Sequence, residues 1–194
     1  MSNDLLQMLS VRRGHFRLES GHHGDLWLDL DALFLRPRRL QGFFDDLARR
    51  ISPYRPDVVC GPLSGGAYVA QAIATRLDIG FVHAERGGDA GEGLYRVAYG
   101  IPVSLRPKLL GQRIAVVDDV INAGSAVRAT LADLDACGGV PVAIGALLVL
   151  GSAAANFATG RSLPLVSVAT MPNTLWTPEE CPLCAKGVAF SSTR

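Results

Sequence analysis

The sequence predicts an α/β fold with a central, mainly parallel sheet flanked by helices and a small N-terminal hood. Several apolar runs, such as residues 114–117, show no polar alternation, as strands covered on both faces do. Two of these runs lead into turns of small residues, at 61–67 and 122–125. Segments with the apolar spacing of helices follow these turns, which is the alternation typical of an α/β sheet.

Length and composition indicate one domain over residues 1–194. The chain is 48% hydrophobic, and its 19 basic and 18 acidic residues leave a net charge of +1. This balance argues against nonspecific nucleic-acid binding and against a polybasic membrane surface. The first residues lack a signal-peptide pattern, and no apolar run approaches the roughly 18 residues of a membrane span. Four cysteines do not make a disulfide framework, so we expect a reduced, cytoplasmic protein.

The N-terminal segment predicts a short helix and then a hairpin. Apolar residues between Leu5 and Val11 suggest a helix that ends near Gly14. Residues 15–19 and 25–30 alternate polar and apolar side chains, and a glycine-containing turn joins them. This hairpin precedes the main sheet and could cover one side of a site.

The rest of the chain reads as alternating helices and strands. Helices are predicted from Pro37 to about residue 51, from the turn at 61–67 to about Leu77, and from residue 126 to the glycines at 138–139. Strands are predicted at residues 57–61, 80–84, 114–117, 140–150 and 163–169. Residues 85–106 are rich in glycine and lack a clear period, so they predict a long loop.

Two carboxylates, Asp118 and Asp119, follow the strand at 114–117. Ligands of open α/β sheets bind at the carboxyl ends of strands. The loop at 122–125 can direct backbone N–H groups at an anion, and the following helix adds its positive end. A ribose 5-phosphate matches this arrangement, with hydroxyls on the carboxylates and the phosphate in the loop. The alternative is a structural strand-to-helix turn with solvated acids.

The segment Val-Val-Asp-Asp-Val-Ile-Asn-Ala-Gly-Ser-Ala at residues 116–126 closely resembles the phosphoribosyl-diphosphate (PRPP) binding motif of type I phosphoribosyltransferases. The resemblance implies their Rossmann-like fold and a catalytic role for Asp118 and Asp119. It also implies that the ribose and its 5-phosphate bind Asp118, Asp119, Val120, Ile121, Asn122, Ala123, Gly124, Ser125 and Ala126.

The glycine-rich turn at residues 61–67 superficially suits a nucleotide P-loop. However, Ala67 and Tyr68 stand where that motif requires Lys and Ser or Thr. The turn instead resembles the pyrophosphate loop of the same family, which implies diphosphate binding by Leu63, Ser64, Gly65 and Gly66. A purely structural strand-glycine-helix junction is the alternative.

Two further segments resemble the orotate branch of the family. Residues 14–21 are similar to its N-terminal hood signature, and the tail from Trp176 to Cys184 is similar to the ending of some bacterial members. This resemblance implies transfer of ribose 5-phosphate from PRPP to orotate with release of diphosphate. Base binding is assigned to Glu19, Ser20 and Gly21.

The sequence departs from the family pattern at two places. The region 85–106 contains no lysine, and Ala84 stands at a usual lysine. Arg86 is the predicted catalytic cation, with Arg96 as an alternative, but arginine cannot act as a general acid near pH 7. Orotate enzymes usually place an arginine after the strand that ends at residue 150, where this chain has Ser152. A transferase for another base, or a non-catalytic PRPP-binding regulator, therefore stays open.

The resemblance also implies Mg²⁺, bound mainly through PRPP and not directly by the protein. A homodimer is implied too, with residues 1–35 and 171–194 contributing to the hood or the dimer contacts. Cys181 and Cys184 have zinc-ligand spacing, but no second pair stands nearby, and the histidines show no metal spacing. Two ordinary thiols are the favoured interpretation, and a metal shared across a dimer is the alternative. His22 and His23 either border the base pocket or are exposed turn residues.

Overall fold

The computed structural model describes residues 2–89 and 93–192. Its strands are β1 (Ser10–Arg17), β2 (His23–Asp29), β3 (Val58–Pro62), β4 (Gly80–Asp89), β5 (Val97–Gly100), β6 (Arg113–Ile121), β7 (Val140–Leu150) and β8 (Leu165–Met171). Its helices are α1 (Ser2–Gln7), α2 (Gln41–Ile51), α3 (Gly65–Leu77), α4 (Ser125–Ala136), α5 (Ala153–Gly160) and α6 (Pro182–Ala185). Short 3₁₀ helices cover Asp31–Leu35, Pro37–Leu40, Ser52–Tyr54 and Arg106–Leu109.

A six-stranded sheet in the order β5-β4-β3-β6-β7-β8 forms the body of the protein. All neighbours in it are parallel except β4 and β5, which pair antiparallel at one edge. This arrangement confirms the predicted α/β fold with a mainly parallel sheet. Within the residues that the structure describes, no helix combines the length and apolar character needed to cross a membrane.

The sheet is covered on both faces, which explains its unbroken apolar strands. Val117 of β6 packs into the layer that contains Leu47 of α2 and Ile73 of α3. Its neighbour Val116 points to the opposite layer, with Leu131 of α4. Because successive residues of a strand face opposite sides, both must be apolar here.

The N-terminal prediction was partly wrong. Helix α1 ends at Gln7, and residues 10–17 form a strand, β1, that pairs antiparallel with β2. Val11 lies opposite Leu28 in this ladder and is 45% exposed, so it does not belong to an apolar helix face. Cross-strand pairing with β2 therefore determines the structure of residues 10–17, and the helical spacing of Leu5, Leu6 and Leu9 does not extend into them.

The segment 85–106 is also more ordered than predicted. Strand β4 continues to Asp89 and pairs with β5, with Glu85 opposite Gly100 and Arg86 opposite Tyr99. Val97 and Tyr99 pack in the same layer as α4, while glycines and charged residues on the other positions hide the two-residue period in the sequence. Residues 90–92 of the predicted loop lie outside the described residues.

The tail, residues 172–192, returns to the β1–β2 hairpin. His23 and Trp176 exchange two backbone hydrogen bonds of 2.8 and 2.9 Å. Farther along the tail, the backbone N–H of Ser191 donates to the carbonyl of His15 at 2.7 Å. Both ends of the chain therefore meet at the hairpin. Helices α5 and α6 had no counterpart in the sequence prediction.

Candidate active site

The acid pair, Asp118 and Asp119, stands where β6 loses one of its two neighbours. Strand β3 pairs with β6 only as far as Cys60 opposite Val116, whereas β7 follows β6 to its end at Ile121. The sequence predicted a strand that stops at residue 117, but the ladder with β7 carries it through the acid pair. The carboxylates therefore lie in an opening at the carboxyl edge of the sheet, the usual ligand position in this architecture.

The predicted diphosphate-binding loop, residues 63–66 (the diphosphate loop below), packs directly against the acid pair. A Cβ atom on Gly65 would lie 2.1 Å from Asp119 Oδ2, and one on Gly66 would lie 2.6 Å from Asp118 Oδ1. Real Cβ atoms do not approach so closely, so any side chain at these positions would displace the carboxylates. Because α3 begins at Gly65, the positive end of its dipole also faces the carboxylates. The Leu63–Ser64 peptide bond is cis.

Backbone groups fix the orientation of both carboxylates. The N–H of Asp119 donates to Asp118 Oδ1 at 3.0 Å, and the N–H of Val120 donates to Asp119 Oδ1 at 2.8 Å. Both residues are buried. Burial raises the pKa of the Asp118 carboxyl well above its ordinary value, and the negative charge of Asp119 raises that pKa further.

The motif loop, residues 122–124, leads from β6 into α4. Gly124 has a φ of +81°, a left-handed conformation that favours glycine, and α4 starts at the next residue. Asn122 Oδ1 accepts a hydrogen bond from Asn173 Nδ2 at 2.9 Å, which ties the loop to the end of β8. The free N–H groups of the first turn of a helix suit a phosphate in this position.

A cavity of about 630 Å³ separates the motif loop from the hairpin. Asp118 and residues 120–126 line one side, and Leu18, Glu19, Ser20 and residues 26–30 line the other. Thus two of the three predicted base-binding residues, Glu19 and Ser20, face the predicted ribose-phosphate residues. Gly21 lies in the turn beside them.

Ser64, Gly65 and Asp119 also line a second, mostly apolar cavity of about 670 Å³. Leu35 and Tyr68 lie at this cavity and are largely exposed. The acid pair therefore borders both cavities: Asp118 lines the one toward the hairpin, and Asp119 lines the one toward α3 together with Ser64 and Gly65.

The predicted catalytic cation, Arg86, meets the hairpin at its turn. Its Nε lies 3.5 Å from Glu19 Oε1, and the hydroxyl of Tyr99 donates to the same oxygen at 3.4 Å. Burial raises the pKa of Tyr99, and the charge of Glu19 raises it further, so Tyr99 stays a neutral donor. The β4–β5 hairpin thus brings Arg86 to the predicted base-binding residues.

The arginine nearest to Ser152 in the sequence lies in a surface ion pair. Arg161, which lies near Ser152 in sequence, forms an ion pair with Asp135 at 2.7 Å on the surface. Ser152 instead lines a third cavity of about 460 Å³, together with His22, Tyr95 and Asn173. His22 and His23 are buried, which rules out one of the two alternatives, that they are exposed turn residues.

Sequence reasoning missed Arg128, which lies in the first turn of α4. Its Nε donates to the carbonyl of Ala123 at 3.3 Å, and its guanidinium is stacked between the rings of Tyr95 and Phe157 at 4.4 and 4.0 Å. Its position three residues after Ser125 is the signal that could have identified it, because residues in the first turn of this helix stay close to the motif loop.

Comparison with known proteins shows the family to which the chain belongs. A family model described as a phosphoribosyl transferase domain matches residues 38–158. Orotate phosphoribosyltransferase of Heliobacterium modesticaldum is 32% identical, with 92% of this chain and 87% of the relative covered. The corresponding protein of Caldanaerobacter subterraneus is 29% identical over the same shares.

Solved structures share the fold. Orotate phosphoribosyltransferase from Aeropyrum pernix superposes with a TM-score of 0.67 at 24% identity, covering 88% of this chain and 94% of that one. Adenine phosphoribosyltransferase from Thermoanaerobacter pseudethanolicus has the same TM-score at 19% identity, covering 88% and 100%. The chain belongs to the phosphoribosyltransferase family. Within that family it is orotate phosphoribosyltransferase-like, which confirms the resemblance found in its motifs.

Proposed function

We propose that the protein is an enzyme that transfers ribose 5-phosphate from PRPP to orotate, releasing diphosphate, as a step of pyrimidine nucleotide synthesis. One observation carries the proposal: the acid pair lies between the diphosphate loop and the motif loop, in contact with the first and continuous with the second. Relatives that cover nine-tenths of the chain are named orotate phosphoribosyltransferases, which supports the choice of base.

In this proposal each segment binds one part of PRPP. The carboxylates of Asp118 and Asp119 accept hydrogen bonds from the ribose hydroxyls, and residues 120–126 with the N-terminus of α4 hold the 5-phosphate. Residues 63–66 bind the diphosphate through backbone N–H groups. Departure of diphosphate leaves positive charge on the ribose C1 and ring oxygen. Fixed carboxylates beside the ribose stabilise that charge, and rigid binding aligns the attacking ring nitrogen of the base.

Arg86 offsets negative charge on the departing diphosphate or on orotate without donating a proton, because guanidinium keeps its protons near pH 7. The acid pair places carboxylate oxygens, which suit Mg²⁺, directly beside the diphosphate loop. The backbone N–H groups of that loop suit the diphosphate oxygens of a Mg²⁺–PRPP complex. We propose that Mg²⁺ enters on PRPP oxygens, where it neutralises diphosphate charge, while residues 63–66 hold the diphosphate that carries it.

Orotate carries a carboxylate, and a cation is needed to bind it. The arginine that usually does so is replaced by Ser152 in this chain. We propose that Arg128 supplies this charge. Its ring contacts with Tyr95 and Phe157 hold the guanidinium in place, and its charge lowers the pKa of His22 beside the third cavity, after the larger effect of burial. A preorganised guanidinium binds a carboxylate well.

Steady-state kinetics test the role of Arg128. We expect Arg128→Ala to raise KM for orotate by about 10- to 100-fold, the loss of a hydrogen-bonded charge pair, with a smaller change in KM for PRPP. Arg161→Ala is the matched control, because Arg161 pairs with surface Asp135. An unchanged KM for orotate in Arg128→Ala would contradict the assignment.

The replacement by Ser152 also favours a second candidate, a transferase for another base. The lysine-free segment 85–106 favours a third, a PRPP-binding regulator without activity. Turnover of PRPP with orotate, uracil, hypoxanthine and adenine separates the three. Robust turnover of another base without orotate turnover excludes the orotate assignment, and tight PRPP binding without any turnover supports the regulator.

We also propose a single domain over residues 1–194 that forms a cytoplasmic homodimer, with residues 1–35 and 171–194 contributing to the hood or the dimer contacts. Exposed Leu35, Leu63 and Tyr68 near the second cavity support a covering partner. Four free cysteines support a reducing compartment.

A further inference from the structure

Four metal-ligating side chains from separate segments meet at the hairpin. His15 lies on β1, His23 begins β2, and Cys181 and Cys184 flank the start of α6 in the tail. Their ligand atoms all lie within 4.8 Å of one another. The sequence hid this group, because 166 positions separate His15 from Cys181. The expectation that no second pair of ligands stands near the cysteines was wrong. We propose that these four residues bind one structural Zn²⁺.

The distances match a tetrahedral site. Zinc–nitrogen bonds of about 2.0 Å and zinc–sulfur bonds of about 2.3 Å place ligand atoms roughly 3.3–3.8 Å apart. His15 Nε2 lies 3.4 Å from His23 Nδ1 and 3.4 Å from Cys181 Sγ. Cys184 Sγ lies 3.6 Å from His15 Nε2 and 3.2 Å from His23 Nδ1. Four of the six edges of a coordination tetrahedron are therefore close to the required lengths, and all six are within 4.8 Å.

A backbone carbonyl fixes the ring of His15 for metal binding. His15 Nδ1 lies 2.7 Å from the carbonyl oxygen of Val188. Since a carbonyl only accepts, Nδ1 carries the hydrogen, and in the neutral ring Nε2 presents its lone pair to the other three residues. A hydrogen bond from the second ring nitrogen to a carbonyl is the usual support of a metal-bound histidine.

Three of the four side chains of the cluster are buried, and neighbouring groups hold them in place. His15, His23 and Cys181 are buried, and the ring of Phe190 lies 4.1 and 4.9 Å from the two imidazole centroids. The turn between the cysteines is closed by a hydrogen bond from the N–H of Ala185 to the carbonyl of Cys181 at 3.1 Å. Exposed Cys184 gives the ion a path from solvent.

The ligand set selects the metal and its role. Two imidazoles and two thiolates in tetrahedral arrangement suit zinc, whereas Mg²⁺ requires oxygen ligands. Four protein ligands leave no open position for substrate or water, so the ion is structural. Residues 18–20 and 26–28 of the same hairpin line the 630 Å³ cavity. Zinc would therefore clamp the tail to the wall of this cavity.

Metal analysis of the whole protein, purified without chelator from zinc-supplemented cells, tests the site. We expect about one zinc per chain. Cys184→Ser should reduce zinc to background, whereas Cys137→Ser, a free cysteine at the end of α4, should retain it. Folded wild-type protein without zinc, or with a Cys181–Cys184 disulfide, would overturn the proposal.

Two measurements do not depend on a folded variant or on transferase activity. Cobalt(II) exchanged into the wild-type protein should show the intense visible bands of a tetrahedral thiolate site. Removal of zinc by a strong chelator should lower the melting temperature by several degrees, and added zinc should restore it. Octahedral cobalt spectra together with a melting temperature insensitive to the chelator would contradict a site of this kind.

Discussion

Asp118 and Asp119 are two buried acidic residues that touch the same glycine turn, and their proposed role depends on charge more than on shape. Replacing both carboxylates by amides keeps the volume, removes the negative charge and replaces one acceptor oxygen of each group by an NH₂ donor. We predict that Asp118→Asn with Asp119→Asn abolishes PRPP turnover in a diphosphate-release assay. Asp135→Asn, at the surface ion pair with Arg161, is the control that should keep activity. Near-normal turnover in the double variant would refute the assignment.

The raised pKa of Asp118 makes a second prediction, on stability. A carboxyl whose folded pKa exceeds its unfolded value of about 3.9 binds more protons in the folded state. Its contribution to stability is therefore greatest below the unfolded pKa and is lost as pH rises through the folded pKa. Asp119 and Glu19 are the negative groups that add to the effect of burial.

Without PRPP, we thus expect Asp118→Asn to melt at a higher temperature than the wild type at pH 8, with the difference shrinking toward pH 4. Thermal denaturation across this range measures the effect. A variant that is destabilised equally at every pH would show that the amide disturbs packing instead. If the variant instead melts at a higher temperature at pH 8, the wild-type Asp118 lowers stability at that pH and is retained for function.

At the scale of elements, the glycines at the start of α3 allow two loops to approach each other. We predict that Gly65→Ala lowers kcat/KM for PRPP by at least about tenfold, because the added methyl group displaces the carboxylate of Asp119. Gly42→Ala in α2 is the matched control, since a Cβ there meets nothing within 4 Å. That change should keep activity and add roughly 0.5–1 kcal/mol of stability. Equal kinetics for both variants would contradict the close approach.

The elements also show what the sequence could and could not predict. Strand β7 and helices α2, α3 and α4 follow from local apolar patterns, and they lie close to where those patterns predict them. The ends of β4 and β6 depend on pairing with β5 and β7, which local sequence does not encode. Likewise Asp118 and the diphosphate-binding role of residues 63–66 were predicted from motifs, whereas the positions of Arg128 and of the His15–Cys181 cluster depend on tertiary contacts between distant segments.

At the scale of the whole molecule, the exposed apolar residues beside the second cavity predict an interface. Leu35 is 80% exposed, so Leu35→Asp should leave the folded subunit intact while it destabilises the proposed homodimer. Light scattering with size-exclusion chromatography should show a shift toward monomer. Val103→Asp, at an equally exposed position (83%), is the control that should stay dimeric. A dimer unaffected by either change would place the interface elsewhere.

Because the tail pairs with the hairpin, the contacts between them form late during synthesis. His15 leaves the ribosome long before its partner Ser191, which follows 176 positions later. At about 5–20 residues per second, this delay is roughly 9–35 s. The sheet strands can associate during that time, but the hairpin that lines the cavity gains its contacts with the tail only after residues 172–192 are synthesised. A chain truncated before Trp176 would therefore lack the contacts between tail and hairpin, so the shape of the cavity depends on a segment that is synthesised long after the hairpin itself.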